Sequence, residues 1–202
     1  MSLRAWSLRL AALPIALLVA AAPARSEARL EYGGQLGFPL PSDNIGNTQL
    51  GVDAGATITL MDKANAGFGL DLIYHHWPVS AGFQNAFDAG LMFFEVDSDT
   101  WALSALQATM HVKFLLPRFV GVVPWGQLGA GYYRVDPNLE FEGTRLHAVD
   151  KPGFNISAGF DRVASPGLRL GLDATYHHLW TSDYFDSDYQ VYSVGMHLLF
   201  GR

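Results

Sequence analysis

The stretch Leu168-Arg169-Leu170-Gly171-Leu172-Asp173-Ala174-Thr175-Tyr176-His177-His178-Leu179-Trp180 decides how the rest of the chain is read. Its even positions (Leu168, Leu170, Leu172, Ala174, Tyr176, His178, Trp180) are apolar with aromatic ends. Its odd positions (Arg169, Gly171, Asp173, Thr175, His177, Leu179) are mostly polar. Successive side chains of a strand point to opposite faces, so this alternation describes a strand with two chemically different walls.

The same rule runs outward in both directions. Ala66 to Trp77 sets Phe68, Leu70, Leu72, Tyr74 and His76 against Gly67, Gly69, Asp71 and His75. Leu50 to Met61 sets Val52, Ala54, Ala56, Ile58 and Leu60 against Gly51, Asp53, Gly55, Thr57 and Thr59. Leu30 to Phe38, Ala102 to Phe114, Val122 to Tyr133, Phe154 to Asp161 and Gln190 to Phe200 complete eight strands. The expected fold is all-β: an eight-stranded antiparallel up-and-down barrel.

A soluble barrel hides its apolar wall in a packed interior and wets its outside. Here the apolar wall is nearly free of charge and is edged by Tyr32, Tyr74, Tyr132, Tyr176, Trp180 and Tyr192, as a lipid-facing wall with aromatic girdles would be. The other wall carries Glu31, Gln35, Asp53, Asp71, Gln107, His111, Lys113, Gln127, Asn155, Asp161, Arg169, Asp173 and His197, too polar for a soluble barrel's core. The expectation is therefore a transmembrane barrel with this polar set in its lumen.

Connection lengths follow the alternation of a bacterial membrane barrel, with short periplasmic turns and longer outer loops. Asp62-Lys63-Ala64-Asn65, Pro117 to Gly121, and Val163 to Gly167 are brief and rich in turn formers. Pro39 to Gln49, Pro78 to Asp99, Val135 to Pro152, and Thr181 to Tyr189 are longer.

The first residues read as an export signal. Arg4 and Arg9 precede an uncharged stretch from Leu10 to Ala22, and Ala22-Pro23-Ala24 has the small-x-small form of a cleavage site. A cut after Ala24, with Ser26 as second choice, divides the chain into a signal peptide, 1–24, and a barrel domain, 25–202. The uncharged stretch is shorter than the roughly 20 residues of a membrane-spanning helix, and Pro14 interrupts it.

Composition narrows the function classes. The chain has 202 residues, half of them apolar, which excludes a disordered polymer. It has no cysteine, so disulfides, lipidated cysteine and thiolate metal sites are excluded. Its net charge of −6, which becomes −8 once Arg4 and Arg9 leave, opposes binding to nucleic acid, and no nucleic-acid partner is expected.

At the carboxy terminus, Ser193-Val194-Gly195-Met196-His197-Leu198-Leu199-Phe200 resembles the insertion signal read by the outer-membrane barrel assembly machinery. Ser193, Gly195, Leu198 and Phe200 match its positions, although Gly201-Arg202 follows where many members end on the aromatic. With the signal peptide and the Gly-Leu-Asp-x-x-Tyr strands, the mature chain resembles the small outer-membrane β-barrel superfamily, OmpA-transmembrane-domain-like, OmpX-like and porin-family proteins among them. That resemblance implies a cell outer-membrane location in a Gram-negative envelope. It implies lipid, lipopolysaccharide and the assembly machinery as partners, and it names no extracellular ligand.

One feature is less generic. Gly69-Leu70-Asp71-Leu72-Ile73-Tyr74-His75-His76-Trp77 recurs as Gly171-Leu172-Asp173-Ala174-Thr175-Tyr176-His177-His178-Leu179-Trp180, and Asp97-Ser98-Asp99 is echoed by Asp186-Ser187-Asp188. Strands three and seven would face each other across a barrel of eight, consistent with a doubled four-strand unit.

The histidine pairs invite a metal reading, since imidazole suits Zn, Cu or Ni. Adjacent strand residues point to opposite faces, so His75 and His177 are placed in the lumen and His76 and His178 at the lipid headgroups, which argues against a chelating pair. The Asp-Ser-Asp triplets match no complete calcium motif. No metal or cofactor is assigned.

Glu31, Asp53, Asp71, His111, Lys113, Arg169, Asp173 and His197 are expected to neutralise one another as a lumen plug, since buried charges are tolerated when paired. An enzyme of this architecture would resemble the outer-membrane lipid A deacylases, whose strand-borne His-x-Ser is absent from His75-His76-Trp77-Pro78-Val79-Ser80 and His177-His178-Leu179-Trp180-Thr181-Ser182. The expected function is a non-enzymatic barrel displaying four loops, with Phe83, Phe87, Phe93 and Phe94 prominent in the second, for envelope integrity or surface binding. The alternatives are a lipid A-modifying enzyme and a narrow channel for small apolar solutes.

Overall fold

The computed structural model describes residues 28–40, 50–78, 102–136, 138, 140–141, 144–145, 147–181 and 188–201. The expected leader, the four phenylalanines of the second long connection, the Asp97-Ser98-Asp99 triplet and Arg202 lie outside the described residues.

Eight long strands form where period-two alternation predicts them: β1 Arg29–Pro39, β2 Val52–Met61, β3 Ala66–Pro78, β4 Ala102–Leu115, β5 Val122–Asp136, β6 Val149–Ser165, β7 Leu168–Leu179 and β8 Tyr189–Gly201. Each pairs antiparallel with its successor, and β8 pairs with β1 to close the barrel. A two-stranded ribbon, Glu140–Phe141 with Thr144–Arg145, lies in the connection from β5 to β6. No helix occurs among the described residues.

The first strand begins and the last strand ends at the rim that carries the short turns. There Asp62 Oδ1 accepts a hydrogen bond from the Ala66 amide at 2.9 Å, and Asn65 takes the left-handed conformation the turn requires, with φ 61°. Gly167, with φ 79°, closes the β6–β7 turn, and its carbonyl accepts from the Gly201 amide at 2.9 Å. The last strand is thereby tied to this rim.

The largest boundary difference is β6, which begins at Val149 rather than Phe154 and ends at Ser165 rather than Asp161. Pro152 reads as a break because it lacks an N–H. It is tolerated because it stands just beyond the last β6–β7 pair, Gly153 with Leu179, where its carbonyl accepts from the Trp180 amide at 3.1 Å and its missing N–H falls past the end of the ladder. At the other end a register shift between Val163 and Ser165 lets pairing continue to Leu168. Smaller differences trim β2 to start at Val52 and β7 to stop at Leu179.

The apolar wall faces out. Leu172 is 64% exposed, Phe68 59% and Tyr132 65%, values at which a water-soluble barrel would show charge. Among the described strand residues, outward-facing charges are confined to the rims: Arg162 towards the short turns, Arg134, Asp136 and Asp150 towards the long connections. Between them the wall is Leu, Ile, Val, Met, Ala and aromatics.

Inside, the expected polarity is only partly met. Towards the long connections Trp77, Leu103, Ala105, Tyr133, Val135, Leu179, Tyr189 and Val191 form a buried apolar cluster, none more than 6% exposed. The inward positions of the strand ends there are apolar, because they fill a closed plug rather than meet water.

Candidate functional site

Below the apolar cluster the lumen is filled by three polar layers, stacked from the short turns upward. The lowest is a chain of ion pairs across four strands. Arg29 meets Glu31 at 2.7 Å, Glu31 meets Arg169, Arg169 meets Asp161 at 3.0 Å, and Asp161 meets His197 at 2.7 Å. His197 reaches Asp173 through its other ring nitrogen, also at 2.7 Å. Both partners are carboxylates that only accept, so His197 satisfies the two together as a doubly protonated ring. Lys113 lies 4.5 Å above the Trp125 ring in the same layer, its ammonium held by the indole face.

The middle layer runs Asp71, His111, Thr59. His111 donates from Nδ1 to Asp71 Oδ2 at 2.9 Å, and its Nε2 stands 2.9 Å from the Thr59 hydroxyl. Gln127 donates to the same Asp71 oxygen at 2.8 Å. A hydroxyl, an imidazole and a carboxylate in this order have the shape of a nucleophile triad. Thr59 is only 3% exposed, and the nearest cavity, about 30 Å³ and lined by Asp71, Gln127, Asp173 and His177, has room for water alone. No acyl chain fits against this hydroxyl.

The upper layer joins Asp53, His75, Gln107, Thr109 and Asn155. His75 donates from Nδ1 to Asp53 Oδ1 at 2.7 Å, and its Nε2 is 2.9 Å from Gln107 Oε1. Gln107 donates to Thr109 Oγ1 at 2.9 Å, and Asn155 reaches the same hydroxyl at 3.4 Å. His177, on the opposite wall, meets the His75 ring edge-on with centroids 5.0 Å apart.

The recurring Gly-Leu-Asp segments have one structural job twice over. In β3, Gly69 lies opposite His111 of β4; in β7, Gly171 lies opposite His197 of β8. Each glycine leaves room for the histidine to lie flat across its strand, and a Cβ at either position would collide with that ring. The aspartate two residues on, Asp71 or Asp173, then accepts from the same ring's Nδ1. A cross-strand histidine needs a partner strand with no side chain at the crossing, and glycine is the one residue that provides it.

All eight residues expected in the lumen network face inward: Glu31, Asp53, Asp71, His111, Lys113, Arg169, Asp173 and His197. They are distributed over the three layers rather than drawn into one cluster. Gln107, Asn155, Thr59, Tyr133 and Lys151 also line this interior, and the signal for Thr59 and Lys151 was their place on inward parity. Tyr32, Tyr74, Tyr132, Trp180 and Tyr192 are exposed on the outside, and Tyr176 is half-buried among Phe154, His178 and Tyr192. Tyr32 belongs to the short-turn rim, where it stacks on Phe200 at 5.7 Å; the other five sit towards the opposite rim. Of the terminal segment, Ser193 points inward, Leu198 and Phe200 outward, and Gly195 lies opposite Asp173.

No protein-family model matches the chain, and no curated protein matches it in sequence. Its fold matches solved barrels. OprG of Pseudomonas aeruginosa, an outer membrane protein, superposes with a TM-score of 0.57 at 13% identity, over 88% of this chain and 97% of that one. The N-terminal β-barrel domain of OprF from Pseudomonas aeruginosa gives 0.50 at 9% identity, over 87% of this chain and 100% of that chain. Ail, the attachment invasion locus protein of Yersinia pestis, solved with the heparin analogue sucrose octasulfate, gives 0.50 at 12% identity, over 88% and 100%. Likeness at such identities establishes a shared architecture: this chain has the eight-stranded fold of small outer-membrane barrels.

Proposed function

We propose that the protein is an integral outer-membrane barrel, exported through a cleaved signal peptide, whose sealed wall holds long connections at the outer surface for envelope integrity or for binding outside ligands. The observation that carries this reading is the inverted distribution of side chains. Leu172, Phe68 and Ile58 are exposed while Asp53, Asp71, Asp161 and Lys113 are buried. Only a solvent as apolar as a lipid tail makes that arrangement favourable.

The interior argues against the other two readings. A channel needs a continuous opening, yet the described lumen is filled by three polar layers capped by Trp77, Leu103, Leu179 and Tyr189. A lipid A enzyme needs its nucleophile at a surface reached by acyl chains, yet Thr59 is sealed inside. Scaffold and display remain. Two features of the last strand, its Phe200–Tyr32 seam with the first and its terminal Ser193 to Phe200 segment, support delivery by the barrel assembly machinery.

Envelope permeability to a bulky dye in a gene-deletion strain tests the reading. The full chain restores the barrier, whereas a chain with residues 79–101 replaced by a four-residue turn, still heat-modifiable and membrane-extracted, does not. Full restoration by the shortened chain overturns the role given to the loops, and recovery of the folded mature chain as a monomer in detergent-free buffer overturns the membrane assignment.

A further inference from the structure

Asp53, His75 and His177 come from three strands, β2, β3 and β7, and from both sides of the barrel. Each offers one ligand atom, and the three atoms lie within 4.8 Å of one another. All three residues are buried, at 3%, 1% and 3% exposure. Within each pair the two histidines cannot chelate together, because His76 and His178 turn outward. Between the pairs they can, since the two inward histidines, one from each copy of the repeat, meet across the lumen.

We propose that Asp53, His75 and His177 bind one borderline divalent transition-metal ion, of the Zn²⁺, Co²⁺ or Cu²⁺ class, as a strut across the barrel. Two imidazoles and one carboxylate suit such ions and not Ca²⁺ or Mg²⁺, which take oxygen. A tetrahedral Zn²⁺ with bonds of about 2.0–2.1 Å sets its donors roughly 3.3 Å apart, so modest rotations of side chains already within 4.8 Å bring them into place.

His177 is the telling member. The other buried histidines each hold an aspartate, His75 at 2.7 Å, His111 at 2.9 Å and His197 at 2.7 Å. Among the described residues His177 has only neutral hydroxyls, Tyr133 at 3.3 Å and Ser193 at 3.5 Å, both long for a hydrogen bond. Its lone pair is thus weakly engaged beside a carboxylate-bearing partner. Gln107, 2.9 Å from His75, offers an amide oxygen as a fourth donor. Above, Trp77 stacks on His75 at 5.1 Å and Tyr189 packs on Trp77, so aromatic rings would close the site towards the long connections.

The test uses the full-length product in a nonionic detergent, carrying His76→Gln and His178→Gln so that the outward histidines cannot contribute. After chelator treatment it is titrated with Co²⁺, both as the folded barrel and during refolding from urea, while visible absorption is read. The proposal expects one Co²⁺ per chain with the intense bands of four- or five-coordination, displaced by Zn²⁺. Adding His177→Gln or Asp53→Asn should weaken binding by at least about tenfold, the least effect known even for residues behind the ligands. Should those variants fail to fold, a Zn²⁺-dependent rise in the urea midpoint, reversed by chelator, supports the site, and an unchanged midpoint overturns it. The site is likewise overturned if Co²⁺ binds in neither protocol, or if binding survives both His177→Gln and Asp53→Asn.

Discussion

His111 reaches Thr59 by lying flat across β3 at Gly69, and a Cβ built on Gly69 would collide with its ring. Gly69→Ala is therefore expected to destabilise the barrel by about 1–3 kcal/mol, the range for forcing a side chain out of a packed interior. Gly171→Ala should do the same through His197. Gly126→Ala, where a new Cβ meets nothing within 4 Å, should shift stability by less than about 0.5 kcal/mol. Urea unfolding of the three variants in detergent, followed by gel mobility, checks the ordering.

Arg169 links Glu31 to Asp161 in the lowest layer. Arg169→Met leaves Glu31 only the half-exposed Arg29 and Asp161 only His197, and a loss of up to about 3–5 kcal/mol is expected. The double variant Arg169→Met/Glu31→Gln should recover part of that loss, because one stranded charge is gone. A double variant no better than the single one would show that the chain of pairs is not coupled.

Leu172 faces out at mid-wall, whereas Trp180 stands just past the end of β7. Leu172→Arg should cost about 2–4 kcal/mol of folding into lipid vesicles and Trp180→Arg no more than about 1 kcal/mol, since the penalty of a charge fades towards the bilayer surface. Equal costs at both positions would contradict a membrane-spanning wall.

Trp77 is 2% exposed at the centre of the apolar plug. Trp77→Ala should cost about 3–5 kcal/mol through the cavity it leaves. Neither this variant nor the unaltered chain should conduct ions in planar bilayers, because the polar layers underneath stay filled. Steady conductance from the unaltered chain would reopen the channel reading.

Strands and their faces were legible because period two needs only one strand at a time: Phe68, Leu70, Leu72 and Tyr74 declare a wall without reference to any neighbour. The inward parity of Asp53, Asp71, Asp173 and His197 followed from the same count. What needed the fold was everything that crosses from strand to strand. The repeat was visible, yet the reason for its glycines depends on Gly69 lying opposite His111, which is a matter of register. The meeting of His75 with His177 depends on barrel diameter, which no single segment encodes. The apolar plug escaped because Trp77, Leu103 and Leu179 stand at the inward positions of strand ends, on the wall that reads as polar, while Val135 falls in what reads as a long connection. Pro152 hid the start of β6 in the same way.

The pairing of Tyr32 with Phe200 joins residues from the two extremes of the described chain. Ribosomal synthesis therefore delivers the first strand long before its closing neighbour exists, and every intermediate carries two unsatisfied edges with a greasy flank. Such a chain is open to edge-to-edge association until its oldest and newest segments zip together, the last pairing that the barrel makes.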